Sequence, residues 1–178
     1  IKIISPEYKS EDFEKIANTA VLPVHKNSEV SITLVNDKQI HKLNKQYRGM
    51  DKPTNVLSFE LGDDVLLGDI FISLDTVKRE ADVAHISVEE HTAHMIVHGM
   101  LHLQGYDHIK DDEAKIMESK EIKILEKLGY KNPYADEDVC DEKCFSNNFV
   151  NKLKNLKIRE NGLWHYVIVS ILGVVASF

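Results

Sequence analysis

Three histidines at a fixed spacing carry the most specific chemistry in this chain. They lie in the run His98-Gly99-Met100-Leu101-His102-Leu103-Gln104-Gly105-Tyr106-Asp107-His108, which reads H-x-x-x-H-x-x-G-x-x-H. On a helix His98 and His102 fall one turn apart on the same face, close enough to share an ion. Gly105 suits the left-handed conformation that ends a helix and reverses the chain, so that His108 returns as a third ligand. Three neutral imidazoles with one open position make a catalytic zinc site, whereas a structural site is usually closed by a fourth protein ligand. The spacing therefore predicts one Zn2+ per chain on His98, His102 and His108. The alternative, histidines that merely fill surface or core, is much harder to reconcile with the glycine at the turn. His91 and His94 lie on the same helical stripe, but His91 is about 10 Å along the axis from His98 at 1.5 Å per residue and out of reach of the same ion. His94 is a candidate partner for the site; otherwise both are structural.

The spacing equals that of the metzincin peptidases, in which the residue after the first histidine is the glutamate that takes a proton from the zinc-bound water. Here that residue is Gly99. The metal cage is kept and the peptidase base is missing.

A second block lies upstream: Arg48-Gly49-x-Asp51-Lys52-Pro53-Thr54-Asn55-Val56-Leu57-Ser58-Phe59, followed by Gly68-Asp69-Ile70; the histidine motif itself continues into Asp111-Asp112-Glu113. With these residues the sequence resembles the YbeY-like endoribonucleases, metal-dependent bacterial enzymes of ribosomal RNA maturation and ribosome quality control. The resemblance runs from the start of the chain to about Tyr134. It implies a zinc-dependent, single-strand-specific endoribonuclease acting on ribosomal RNA precursor, with the small ribosomal subunit and ribosome-associated proteins as partners and a cytoplasmic location. It also implies that Arg48 is functional, a planar guanidinium being suited to a phosphate; without the resemblance, an ordinary surface arginine is an equal reading. The catalytic groups expected are Arg48, the zinc-bound water and Asp107, the last as a base or as the partner of a ligand imidazole. The water acts alone, or the RNA 2′-hydroxyl attacks while zinc serves as Lewis acid. Asp69 reads as orienting local structure. Thr54, Asn55 and Ser58 either line an RNA groove or make backbone hydrogen bonds. Two other functions stay open: a ribosome-assembly binding factor with a mainly structural metal, and, against the missing glutamate, a metallopeptidase.

The elements that must position these residues follow from patterning. Ile1–Ile4 reads as a strand, and Ser10 caps a helix to about Leu22 that buries Phe13, Ile16, Ala17, Ala20 and Val21. Val30, Ile32 and Leu34 alternate with Ser31 and Thr33 as a strand. Asn36 caps a helix to Tyr47 with Ile40, Leu43 and Tyr47 inward. Thr54–Phe59 and Val65–Ile72 read as a hairpin around Gly62-Asp63-Asp64. Ser73 caps a helix to Ala84, and Ser87-Val88-Glu89-Glu90 is a capping box that opens the metal helix, closing at Gly105. Asp111 or Asp112 opens a last helix ending at Leu128-Gly129. The expected fold class is α+β, a small mixed β-sheet covered by helices, with the three-His site at the end of a central helix.

The 178 residues carry a formal charge of −7, which does not suggest an electrostatic RNA binder. A local basic cluster (Lys38, Lys42, Lys45, Arg48 and Lys52) is either an RNA contact or a solvated helix face. The chain starts at Ile1 with charged residues nearby, unlike a secretory leader, and lacks an initiator Met, as after processing or trimming. The expected organisation is a catalytic domain over 1–134, a polar linker over 135–162 and an apolar segment over 163–178. Cys140 and Cys144 read as free thiols of a reducing compartment. The apolar run Leu163–Phe178 is somewhat shorter than the ~20 residues that span a bilayer. It is a membrane anchor that would hold the enzyme at the inner face, a segment that docks on protein, or the start of a truncated element.

Overall fold

A computed structural model of the chain describes residues 2–4, 10–62 and 65–135. The expectations for 136–178 (the linker beyond Ala135, the two cysteines and the apolar run) lie outside the described residues, as does part of the turn at Asp63 and Asp64. Among the described residues no helix is long and apolar enough to cross a membrane. The elements below all belong to one compact unit, Ile1–Lys131.

The alternating apolar pattern around Val30 and Ile32 becomes the inner strand of a four-stranded sheet. Its strands are β1 (Lys2–Ile4), β2 (Glu29–Val35), β3 (Val56–Glu60) and β4 (Leu66–Ser73), ordered β1-β2-β4-β3. β1 and β4 run parallel to β2, and β3 pairs antiparallel with β4, so the sheet is mixed and the predicted hairpin is present. Glu29 faces Leu66 while Val30 faces Gly68, which leaves Leu67 as an extra residue, a bulge. The bulge lets Leu67 join the same core as Ile70 and Ile72.

The described residues form five α-helices: α1 (Ser10–Ala20), α2 (Asp37–Arg48), α3 (Leu74–Ala84), α4 (Val88–His102) and α5 (Asp111–Leu128); the first four pack on the sheet and α5 packs on α4 and α1. The fold is α+β, as the patterning predicted. α4 is the hub. It buries Met95, Ile96 and Val97 in succession, then Gly99, Met100 and Leu101. Three consecutive buried positions cover most of a helix's circumference, so α4 is surrounded rather than one-sided. Its neighbours are α1, α3, α5, β3 and β4. α1 supplies Phe13, Ile16, Ala17 and Ala20 to this core, the face read from its periodicity. Ile40 of α2 and Leu57 of β3 are buried too. Near them, edge-on ring contacts link Tyr47 to Phe59 at 5.1 Å and Phe59 to Phe71 at 5.8 Å. Tyr47, expected inward, is 60% exposed, with its ring edge-on to Phe59.

The caps explain most boundaries. Asn36 and Gln39 form a reciprocal capping box at α2, a pairing the sequence reading took as a simple Asn cap. Ser73 caps α3 through Thr76. Ser87 accepts from the Glu90 backbone N–H at 3.1 Å, but the Glu90 carboxylate accepts from the Lys131 backbone at 3.3 Å, so the expected box forms only its first half. α4 stops at His102, three residues before Gly105, and Gly105 takes the left-handed conformation within the following turn. α1 ends at Ala20, where the Gln104 side chain donates to the Ala20 and Met100 carbonyls and accepts from the Leu22 N–H.

Candidate metal centre

The last turns of α4 and the loop after it bring His98, His102 and His108 together. One ring nitrogen from each lies within 4.8 Å of the other two, and among the described residues these three alone make up the group. The Nε2 atoms of His98 and His102 stand 3.0 Å apart. Two nitrogens on one tetrahedral zinc, each at about 2.0–2.1 Å, would stand about 3.3 Å apart. The cluster is therefore compatible with a three-His metal site. It also sits at the C-terminal end of α4, where exposed carbonyl dipoles favour a cation.

Protonation states fit the same purpose. Burial, followed by the neighbouring charges of His98 and His108, pushes His102 down to about 4. Burial and His98 likewise lower His108. Asp107 opposes both shifts, but burial wins, so these imidazoles are neutral at neutral pH, the form that ligates metal. Asp107 is thus close enough to act on both rings; its Oδ1 accepts from the His108 backbone N–H at 2.7 Å.

Behind the cluster lies Glu121 of α5, a buried carboxylate that the sequence reading missed. Its Oε1 meets His98 Nδ1 at 2.8 Å and its Oε2 meets His94 Nε2 at 2.9 Å. Burial alone would raise its pKa, but the hydrogen bonds from His94 and His98 outweigh it and hold the carboxyl well below its usual range. A signal was present: Met117, Glu121 and Leu125 are the buried positions of α5, so an acid stands in an apolar stripe at i, i+4, i+8. His94 therefore sits on Glu121, one turn from His98. His91 pairs with Glu80 at 2.8 Å, away from the cluster as its axial distance predicted.

Gly99 explains the absent glutamate. A Cβ at this position would lie 2.9 Å from Ile70 Cγ2 and 3.0 Å from Ser58 Oγ, so the residue faces the sheet. Gly68 makes a second close approach: it holds φ +154, and a Cβ there would collide with the Phe59 carbonyl and meet Leu103, the residue after His102, at 2.8 Å. The two glycines seat the histidine-bearing end of α4 against β3 and β4.

The upstream block is placed as follows. Arg48 is the exposed last residue of α2, capped by a left-handed Gly49. Asn44 donates to the Lys52 carbonyl at 2.8 Å, and Asp51 pairs with His41 and Lys45 at 2.7 and 2.8 Å, folding the loop back on α2. Asn55 donates to Glu80 at 3.1 Å and accepts from the Val56 N–H at 2.8 Å. Thr54 bonds Asn55 at 3.3 Å, and Ser58 lies against Gly99. Of these three, Asn55 makes a backbone hydrogen bond, to Val56, and also ties β3 to Glu80 of α3.

A profile of the family Endoribonuclease YbeY matches residues 2–129. Endoribonuclease YbeY of Colwellia psychrerythraea is 48% identical over 136 residues, covering 71% of this chain and 88% of that protein. Endoribonuclease YbeY of Sphingopyxis alaskensis is 48% identical over 123 residues, covering 62% of this chain and 73% of that protein. A solution structure of a Thermotoga maritima protein aligns at 26% identity with a TM-score of 0.49, over 79% of this chain and 98% of that one. The profile takes in β1 through α5 and all three clustered histidines, and the chain belongs to the Endoribonuclease YbeY family.

Proposed function

We propose that this chain is a zinc-dependent endoribonuclease that cleaves single-stranded RNA, with ribosomal RNA precursor as substrate and the small ribosomal subunit as partner, in ribosome maturation and quality control in the cytoplasm. Family membership supports RNA cleavage. The single observation that carries the metal is the convergence of three imidazole nitrogens within 4.8 Å. His98, His102 and His108 would hold the ion, with burial keeping His102 and His108 neutral. When bound, zinc on three imidazoles supplies Lewis acidity toward a phosphoryl oxygen and lowers the pKa of water to about 7. Arg48 offers a planar guanidinium to the charge that develops on the phosphate. Asp107, whose carboxylate accepts from the His108 backbone N–H, would hold a proton during attack.

An assembly factor with a structural metal would close the fourth position with protein, and no fourth ligand joins the cluster among the described residues. The test is cleavage of a single-stranded RNA by zinc-loaded protein, with chelator-treated protein and His102→Ala alongside. Cleavage lost in both controls is expected. Cleavage retained by a metal-free His102→Ala protein would overturn the proposal. Stoichiometric zinc without cleavage, even with small ribosomal subunits added, would favour the assembly factor.

A further inference from the structure

We propose that Glu121 is a positioning residue of the metal centre, holding His98 so that Nε2 is its ligating atom; this rests on the metal reading above. An ionised carboxylate only accepts hydrogen bonds, so the contact at 2.8 Å makes His98 Nδ1 the protonated nitrogen. The lone pair is then on Nε2, the atom that faces His102 Nε2 at 3.0 Å. Ring and tautomer are fixed together.

The second oxygen of Glu121 is held as firmly. It accepts from His94 Nε2 at 2.9 Å, and His94 lies one turn before His98 on the same helix. The carboxylate is thus clamped between two donors from α4 while its own backbone belongs to α5. With a side chain 1% exposed, it has no solvent to turn towards. Its stripe neighbours Met117 and Leu125 are each 1% exposed, so the stem is packed on both sides. Burying a carboxylate is strongly unfavourable unless it is fully partnered. A leucine would fill this place in the core more cheaply, so the acid is explained by what it does to His98. The same contact lets α5 set the direction of a ligand on α4.

The test uses the full chain and the wild type first. Long-range 1H–15N spectra of the zinc-loaded protein should show His98 protonated at Nδ1 and ligated through Nε2. Zinc affinity is then measured by competition with a chromophoric chelator, and the visible spectrum of the cobalt-substituted protein is recorded. Glu121→Met keeps the length of the unbranched side chain but removes both acceptors, and it should weaken zinc binding about 10- to 100-fold and change the cobalt spectrum. Glu121→Gln should fall between, because its carbonyl can serve His98 while its amide turns to His94, and Glu121→Asp should recover part of the loss. Folded variants with wild-type zinc affinity and an unchanged cobalt spectrum would overturn the proposal. So would a wild-type His98 that ligates through Nδ1, a result that stands even if Glu121→Met does not fold. A wild-type protein that binds no zinc would instead refute the metal reading itself.

Discussion

Replacing Gly99 by alanine sets two opposed effects against each other. In a helix interior the change is favourable by about 1 kcal/mol, because glycine is the freer residue in the unfolded chain. Against this, the new methyl would lie 2.9 Å from Ile70 Cγ2, and 3.0 Å from both Ile70 Cδ1 and Ser58 Oγ. Ile70 is fully buried and Cγ2 is branched from its Cβ, so the clash cannot be relieved by swinging a chain end. Overpacking of this kind costs about 1–3 kcal/mol. The net expectation is a destabilisation between zero and about 2 kcal/mol, read as a lower melting temperature at about 2–4 °C per kcal/mol for a chain of this size. A double-mutant cycle with Ile70→Val, which removes the Cδ1 contact, should show favourable coupling of about 0.5 kcal/mol or more. Gly99→Glu would complete the peptidase motif letter for letter, yet it would drive a carboxylate into Ile70, so the variant should be severely destabilised and hydrolyse no peptide. A Gly99→Ala protein that melts higher, with no coupling to Ile70, would refute the sheet contact. A folded, zinc-loaded Gly99→Glu protein that cleaves peptides would refute the reasoning as a whole.

Arg48→Ala removes an exposed side chain, so stability should stay within about 0.5 kcal/mol and zinc binding should not change. RNA cleavage should fall about a hundredfold or more, as when a charge-stabilising donor is lost, and full activity would remove Arg48 from the site. Gln104→Ala strips partners from the Leu22 N–H and from the Ala20 and Met100 carbonyls. It should cost about 1–3 kcal/mol by urea denaturation, and an unmoved midpoint would show that water replaces the side chain. In chelator-treated protein, His102 is lowered to about 4 and His108 is lowered as well. An unfolded histidine titrates near about 6.5, so between there and pH 4 the unfolded chain binds more protons and stability must rise with pH. The melting temperature should drop as pH falls through that window. Glu121, lowered from 4.5, acts in the same direction at its acid end. A flat profile would mean that these imidazoles are solvated in the metal-free protein.

The histidine cluster was legible in the sequence because local spacing places it: i, i+4 on one helix, a glycine turn, then one more histidine. Strand and helix order was legible for a similar reason, since Val30 and Ile32 alternate and Phe13, Ile16, Ala17 and Ala20 recur at helical spacing. What escaped depends on contacts between distant segments. Glu121 meets His98 across 23 positions, and Gln104 meets Leu22 across 82. No local pattern specifies such pairs, although an acid in the apolar stripe of α5 was a hint. The bulge at Leu67 is another case, because it is set by the register of β4 on β2 rather than by residue type. Tyr47 is exposed despite its position because helical periodicity gives a direction, not the extent of the neighbour that covers it; its ring reaches Phe59 of β3 and is still 60% exposed.

The packing of α4 also decides what the metal contributes to folding. In a small zinc-dependent domain the ligands are tied together by the ion because no core does it. Here the helix that bears two of the clustered histidines is buried along Thr92–Leu101 by apolar neighbours from α1, α3, α5 and the sheet, and Glu121 and the glycines pack against its end. The three histidines should therefore stand nearly in place before any ion arrives. Metal then stabilises only by mass action, about 2.7 kcal/mol when free zinc is a hundred times its dissociation constant. The chelator-treated protein should keep its far-ultraviolet circular dichroism and a cooperative melt, at a temperature that rises with free zinc by that relation. A metal-free chain that melts without cooperativity would mean that the ion organises the core. Preorganised in this way, the three histidines would lose little freedom on binding an ion.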